Sequence, residues 1–116
     1  MKEKGVIYIC NAFSLAMISQ FKDVKIRCRK ITVEEVRDIL SQGFHSSLGH
    51  ETTGKIISDM IGINIPVNRD KTVLQPGDLL IVTQYLGPRL PEGAVTLPPG
   101  AVIEFFAVTL EEASND

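Results

Sequence analysis

His50 stands in the stretch Leu48-Gly49-His50-Glu51-Thr52-Thr53, behind a glycine and ahead of a segment with helical apolar spacing. An unperturbed imidazole titrates near neutrality, at about 6.5, and a helix start offers backbone N–H groups to an anion. Arg89 and Glu92, in Arg89-Leu90-Pro91-Glu92-Gly93, supply a guanidinium and a carboxylate between two expected strands. Imidazole, guanidinium and carboxylate are the groups that acid–base cleavage of an RNA phosphodiester needs when no metal takes part. Each also has a plainer reading. His50 could be structural, and Arg89 and Glu92 could form a surface ion pair that contributes little. Asn11 and Ser14, directly after the first expected strand, read as a turn and a helix cap, and Arg69 as a solvated turn residue.

The elements that would position these groups follow from local pattern. Val6 to Cys10 is a short β-rich apolar run, expected as a buried strand at the centre of a sheet. Ser14 would cap a short helix carrying Leu15, Met17, Ile18 and Phe21 inward. Val24, Ile26 and Cys28 alternate with Lys25, Arg27 and Arg29, the period of a half-buried strand. Thr32 and Glu35 form a capping box for a helix whose inner face is Val33, Val36, Ile39 and Leu40, and Gly43 would stop it. A loop or brief strand at Phe44 to Leu48 would deliver His50 to a further helix, capped by Thr52 or Thr53, with Ile56, Ile57, Met60 and Ile61 inside.

Ile63, Ile65 and Val67 alternate around Pro66, which predicts an edge strand, and Asn68 to Lys71 predicts a turn. Pro76-Gly77-Asp78 is a turn signal ahead of a second buried strand, Leu79 to Tyr85. Gly87 to Gly100 is a long loop holding Pro88, Pro91, Pro98 and Pro99, and Ala101 to Val108 is a final strand. Helices interspersed with strands predict an α/β fold, one domain over residues 1–116 with a mixed β-sheet and flanking helices, residues 110–116 being a frayed tail.

Composition narrows the function classes. With 116 residues the chain suits one domain, and 44% hydrophobic with 22% charged residues is ordinary for a globular protein. No apolar run reaches the ~18 residues of a membrane span, and the apolar run behind the basic N-terminal residues lacks a cleavage site, so a cytoplasmic location is expected. A net charge of −2 argues against broad binding to duplex nucleic acid or anionic membrane, but leaves room for a local basic pocket. Cys10 and Cys28 form no CxxC pair and read as buried free thiols, so no metal site is expected from them. His45 lies five residues before His50, a poor helical spacing for shared metal ligation. There is no GxGxxG, P-loop or HExxH motif.

Taken together, Asn11-Ala12-Phe13-Ser14, Leu48-Gly49-His50-Glu51-Thr52-Thr53, Asn68-Arg69 and Arg89-Leu90-Pro91-Glu92-Gly93 occur in the order and spacing of a known family. The chain resembles the viral type III anti-CRISPR ring nucleases and their bacterial relatives, which degrade cyclic tetraadenylate. The likeness runs from about Val6 to Glu92, and Leu48 stands where isoleucine is common. The resemblance implies a metal-independent, cofactor-free enzyme that cuts the ring by 2′-hydroxyl attack, giving linear diadenylates with 2′,3′-cyclic phosphate ends. It implies His50 as general acid, Glu92 as the carboxylate that orients or deprotonates the hydroxyl, and Arg89 with Arg69 as phosphate-holding cations. Asn11 and Ser14 would contact the ligand.

The resemblance also implies a homodimer with ligand at the interface, acting in the cytoplasm, or in the host cytoplasm if the chain is viral. The Gly- and Pro-rich loop around Arg89 could serve as a lid, although its prolines stiffen it. A bound phosphate would draw His50 toward its protonated form. The alternative is a non-catalytic module that sequesters a cyclic oligonucleotide with the same arginines. Lys25, Arg27, Arg29 and Lys30 read as a solvated strand face or, alternatively, as a basic rim to the nucleotide site.

Overall fold

In the computed structural model, which describes residues 5–91 and 93–116, a turn and a buried carboxylate fix where the sheet begins. Gly77 takes φ +97 in the expected Pro76-Gly77-Asp78 turn. The Asp78 carboxylate accepts from Gln75 N and Val6 N, both at 2.9 Å, so one side chain joins this turn to the first strand. Gly5 crosses the same turn so closely that a Cβ on it would lie 1.7 Å from the Gly77 carbonyl oxygen.

Five strands follow in the spatial order β2-β5-β4-β1-β3. Strand β1 (Ile7–Cys10) is interior, parallel to both β3 (His45–Ser47) and β4 (Leu79–Leu86). Strand β5 (Val102–Ser114) runs antiparallel to β4 on one side and to β2 (Asp23–Ile31) on the other. The sheet is therefore mixed and the fold α/β, as expected. Both helices, α1 (Val33–Leu40) and α2 (Glu51–Ile61), pack on one face, where Ile9, Ile81, Phe105 and Ala107 meet Val36, Leu40, Ile57 and Ile61. Alternate residues Cys10, Leu80, Val82 and Val108 form the opposite face, closed by Ile18 and Leu74 from irregular segments. Each fully buried aliphatic side chain contributes about 1.5–3 kcal/mol, so the helix-covered face, which holds more of them, dominates stability.

The helix ends follow local chemistry. Thr32 Oγ1 accepts from Glu35 N at 3.1 Å while Glu35 accepts from Thr32 N at 3.2 Å, completing the expected capping box. The Thr32 N–H, and then the Arg29 guanidinium, hold the Glu35 carboxyl below its ordinary pKa. Helix α2 stops at Gly62 in the left-handed conformation, φ +80, and Arg37 Nε of α1 donates to its last carbonyl, Ile61 O, at 2.6 Å.

Several expectations are corrected. Residues 63–67 form no strand, because their backbone groups are taken by side chains: Ile65 N donates to Ser58 Oγ, and Ser46 Oγ donates to Pro66 O. The chain does not fray at residue 110. Strand β5 continues to Ser114, pairing Glu112 with Lys25 and Ser114 with Asp23. Leu15, expected inside, is 73% exposed on a single 3-10 turn, Leu15–Met17.

Strand β2 is an edge strand exposed along most of its length, so Cys28 is exposed rather than half-buried, while Ile26 is 37% exposed. Cys10 is buried, and that burial pushes its thiol up to about 11. A thiol reagent applied to the native protein should therefore label Cys28 and spare Cys10 until denaturant is added. Labelling of both in native buffer would contradict this burial. Lys25 pairs with Glu112, Arg29 with Glu35 and Lys30 with Glu104, which favours the solvated reading of this strand over the basic rim.

Candidate active site

Strands β1, β3 and β4 run parallel, so the segments leaving their carboxyl ends share one side of the sheet, where α/β folds commonly bind ligands. Asn11 follows β1, His50 follows β3 by three residues, and Gly87 and Arg89 follow β4. Together with Arg69 they line an open cleft of about 1110 Å³. That volume exceeds the roughly 300–1,000 Å³ usual for small-molecule pockets, which suits a larger ligand.

His50 occupies the N-cap position of α2 in extended conformation, φ −119 and ψ 118, and its carbonyl accepts Gly54 N at 2.8 Å. Its ring makes no capping bond, and the residue is exposed. Thr52 and Thr53, expected as caps, instead lie inside the first turn, because His50 already supplies the first helical carbonyl. Glu51, Thr52 and Thr53 all line the cleft. The uncapped N–H groups of this turn, at the positive end of the helix, are thus beside the imidazole.

A chain of hydrogen bonds holds the approach to His50. Gly49 N donates to Asn11 Oδ1 at 3.5 Å, and Gly49 O accepts from Arg69 Nε at 3.2 Å. Asn68 N donates to Leu48 O at 2.9 Å, and the buried Thr83 hydroxyl donates to Cys10 O at 2.9 Å, fixing the strand end that carries Asn11. Asn11 and Arg69 therefore position the loop ahead of His50 as well as facing the cleft. Arg69 uses Nε internally, which leaves its two terminal nitrogens for an anion. Among the described residues, neither Arg69 nor Arg89 has a carboxylate within 4.0 Å.

Four of the six residues singled out in sequence, Asn11, His50, Arg69 and Arg89, thus converge. Ser14 does not line the cleft; its hydroxyl accepts Ala16 N at 3.2 Å and caps the 3-10 turn. Glu92 lies outside the described residues. His45 stands on the edge strand with its ring 5.9 Å from that of Tyr8, away from the cleft. Among the described residues, no group of three or more His, Cys, Asp or Glu is arranged to hold a metal ion.

Residues 7–100 match the family described as STIV B116-like. The chain belongs to the STIV B116-like family. This B116-like chain is 34% identical over 91 residues to "Uncharacterized protein 26" of Sulfolobus islandicus filamentous virus (isolate Iceland/Hveragerdi), covering 78% of this chain and 75% of that protein. It is 30% identical over 95 residues to "Uncharacterized protein ORF117" of Acidianus two-tailed virus, covering 78% and 77% respectively. Its fold is that of B116 of Sulfolobus turreted icosahedral virus, with a TM-score of 0.74 at 22% identity over 90% of this chain and 99% of that one. Among the described residues of the B116-like chain, no helix is long and apolar enough to cross a membrane.

The B116-like cleft also contains residues that sequence reasoning passed over, namely Thr83, Gln84, Tyr85 and Leu90. The first three read as the end of a buried strand. A signal was nonetheless present: Thr83-Gln84-Tyr85 interrupts an apolar run with three hydrogen-bonding side chains just before a glycine-containing loop.

Proposed function

We propose that this protein is a metal-independent ring nuclease that cleaves cyclic tetraadenylate into linear diadenylates with 2′,3′-cyclic phosphate ends, switching off type III CRISPR signalling. The observation that carries the reading is the convergence of His50, Arg69, Arg89 and Asn11, from four separate segments, on one cleft at a helix N-terminus. A phosphodiester in that cleft would meet paired guanidinium donors and backbone N–H groups, which stabilise charge gathering on phosphoryl oxygens in the transition state. In the reaction a ribose 2′ oxygen attacks the adjacent phosphorus and the bond from phosphorus to the 5′ oxygen breaks. Glu92 takes the 2′-hydroxyl proton, and protonated His50 gives a proton to the departing 5′ oxygen. No metal is required for that step.

A ring of four nucleotides presents equivalent phosphates across a twofold axis, so an isologous homodimer would supply one His50 to each half. The two relatives at 30% identity or above are viral proteins, which favours suppression of a host's defence, in the host cytoplasm, over a cell ending its own signal.

The test is chromatography of cyclic tetraadenylate incubated with native protein in excess chelator. Linear diadenylates are expected. Intact ring bound to the protein after long incubation would replace this reading with sequestration, and absence of both binding and cleavage would end it.

A further inference from the structure

The base of the loop that carries Arg89 is built around one side chain. Tyr85, the penultimate residue of β4, is half-buried against the helix-covered core, and its hydroxyl donates to Pro88 O, the carbonyl directly before Arg89. Between them Gly87 takes φ +154 and passes so close to the other end of the loop that a Cβ there would lie 2.6 Å from Ala101 Cβ and 3.1 Å from the Tyr85 hydroxyl. Leu90 and Leu97 of the same loop pack on the same core, on either side of the tip. Ala101 N closes the far end on Pro98 O at 3.0 Å.

The peptide that enters Arg89 is therefore held by a hydroxyl on a rigid strand. Arg89 itself is exposed and, among the described residues, has no hydrogen-bond partner of its own. A long side chain in that state loses rotamer freedom on meeting a phosphate, and the cost is smaller when its backbone is already fixed. Fixing the backbone also decides where a planar guanidinium can present two parallel donors, since its reach is set from Cα outward.

We propose that Tyr85 is a positioning residue for Arg89: its hydroxyl, through Pro88 O, sets the backbone from which the guanidinium reaches the scissile phosphate. The inference rests on the proposed nuclease reading, and it assigns the site a residue that touches no reacting atom. Tyr85→Phe keeps the ring packed on the core and removes only the donor, and Pro88 O, which is exposed, can then bond water.

A double-mutant cycle tests it, with native protein, Tyr85→Phe, Arg89→Ala and the double variant. Readouts are single-turnover cleavage of cyclic tetraadenylate, binding of an analogue blocked at the 2′ position, and thermal unfolding. Tyr85→Phe should slow cleavage about tenfold, the kinetic equivalent of one ordinary hydrogen bond, with an unchanged melting temperature. In the Arg89→Ala background it should slow cleavage by less than about twofold more. A native rate in Tyr85→Phe, or losses that multiply in the double variant, would overturn the proposal while leaving the nuclease reading intact.

Native protein that neither binds nor cleaves the ring would instead end the nuclease reading. The positional claim then stands or falls on ligand-free NMR. Tyr85→Phe should move the Arg89 Nε–H signal and leave that of Arg69 in place, and no movement at Arg89 would overturn it.

Discussion

Replacing His50 with alanine should lower the rate of ring cleavage about 10²- to 10⁴-fold, the usual contribution of a general acid, while binding of an uncleavable analogue changes only a few-fold. The structure makes this variant interpretable. The imidazole is exposed and caps nothing, so alanine at the helix start removes no bond that holds α2 in place. Stability should stay within about 0.5 kcal/mol of native, the range of surface changes away from special features. Because the cleft is open, added imidazole should restore part of the lost rate. Single-turnover kinetics decides the point: a His50→Ala protein that cleaves at the native rate removes His50 from the chemistry.

Arg89→Ala should cost about 10²- to 10³-fold in the same assay, comparable with loss of one preorganised donor to a developing oxyanion. Arg89→Lys should recover little, since a lysine ammonium keeps the charge but cannot present two parallel donors to one phosphate. Arg69 offers the contrast. Its Nε already holds Gly49 O, so alanine there should lower the melting temperature as well as the rate, whereas Arg89→Ala should leave melting unchanged. Equal cleavage by native, Arg89→Lys and Arg89→Ala proteins would mean that the loop takes no part in phosphate recognition.

Much of the fold was legible because local signals and tertiary needs agreed. The Thr32–Glu35 box, the turn at Pro76-Gly77-Asp78 and the apolar runs of β1 and β4 are each specified within a few residues. Expectations failed where a distant partner decides the outcome. The alternation of Ile63 and Ile65 serves packing beside α2, where Gly54 leaves room for Leu48: a Cβ on Gly54 would stand 2.9 Å from Leu48 Cδ2.

Strand β2 looks half-buried in sequence, but Cys28 is exposed, because the described elements that pack on the sheet reach only part of it. The acidic tail reads as frayed until Lys25 is found opposite Glu112. At the cleft, residue types pointed to His50 and Arg89 beside plainer readings, and Arg69 read by type as a solvated turn residue until the resemblance joined the three. The backbone contacts of Asn11 and Tyr85 were hidden, since their partners lie far away or several residues on.

The two margins of the sheet bear on how copies of this chain can meet. One margin is β2, with Lys25, Arg27, Arg29 and Lys30 along six positions, and the other is β3, only three residues long. Joining β2 to β2 would crowd two charged margins whose Lys25, Arg29 and Lys30 already pair with carboxylates of their own chain, and β3 offers too short a ladder to hold a second sheet. Faces and loops therefore suit a twofold partner of the kind the proposed reaction calls for better than either margin does. The catalytic unit would then be two separate sheets facing across a ligand, rather than one sheet continued through both subunits.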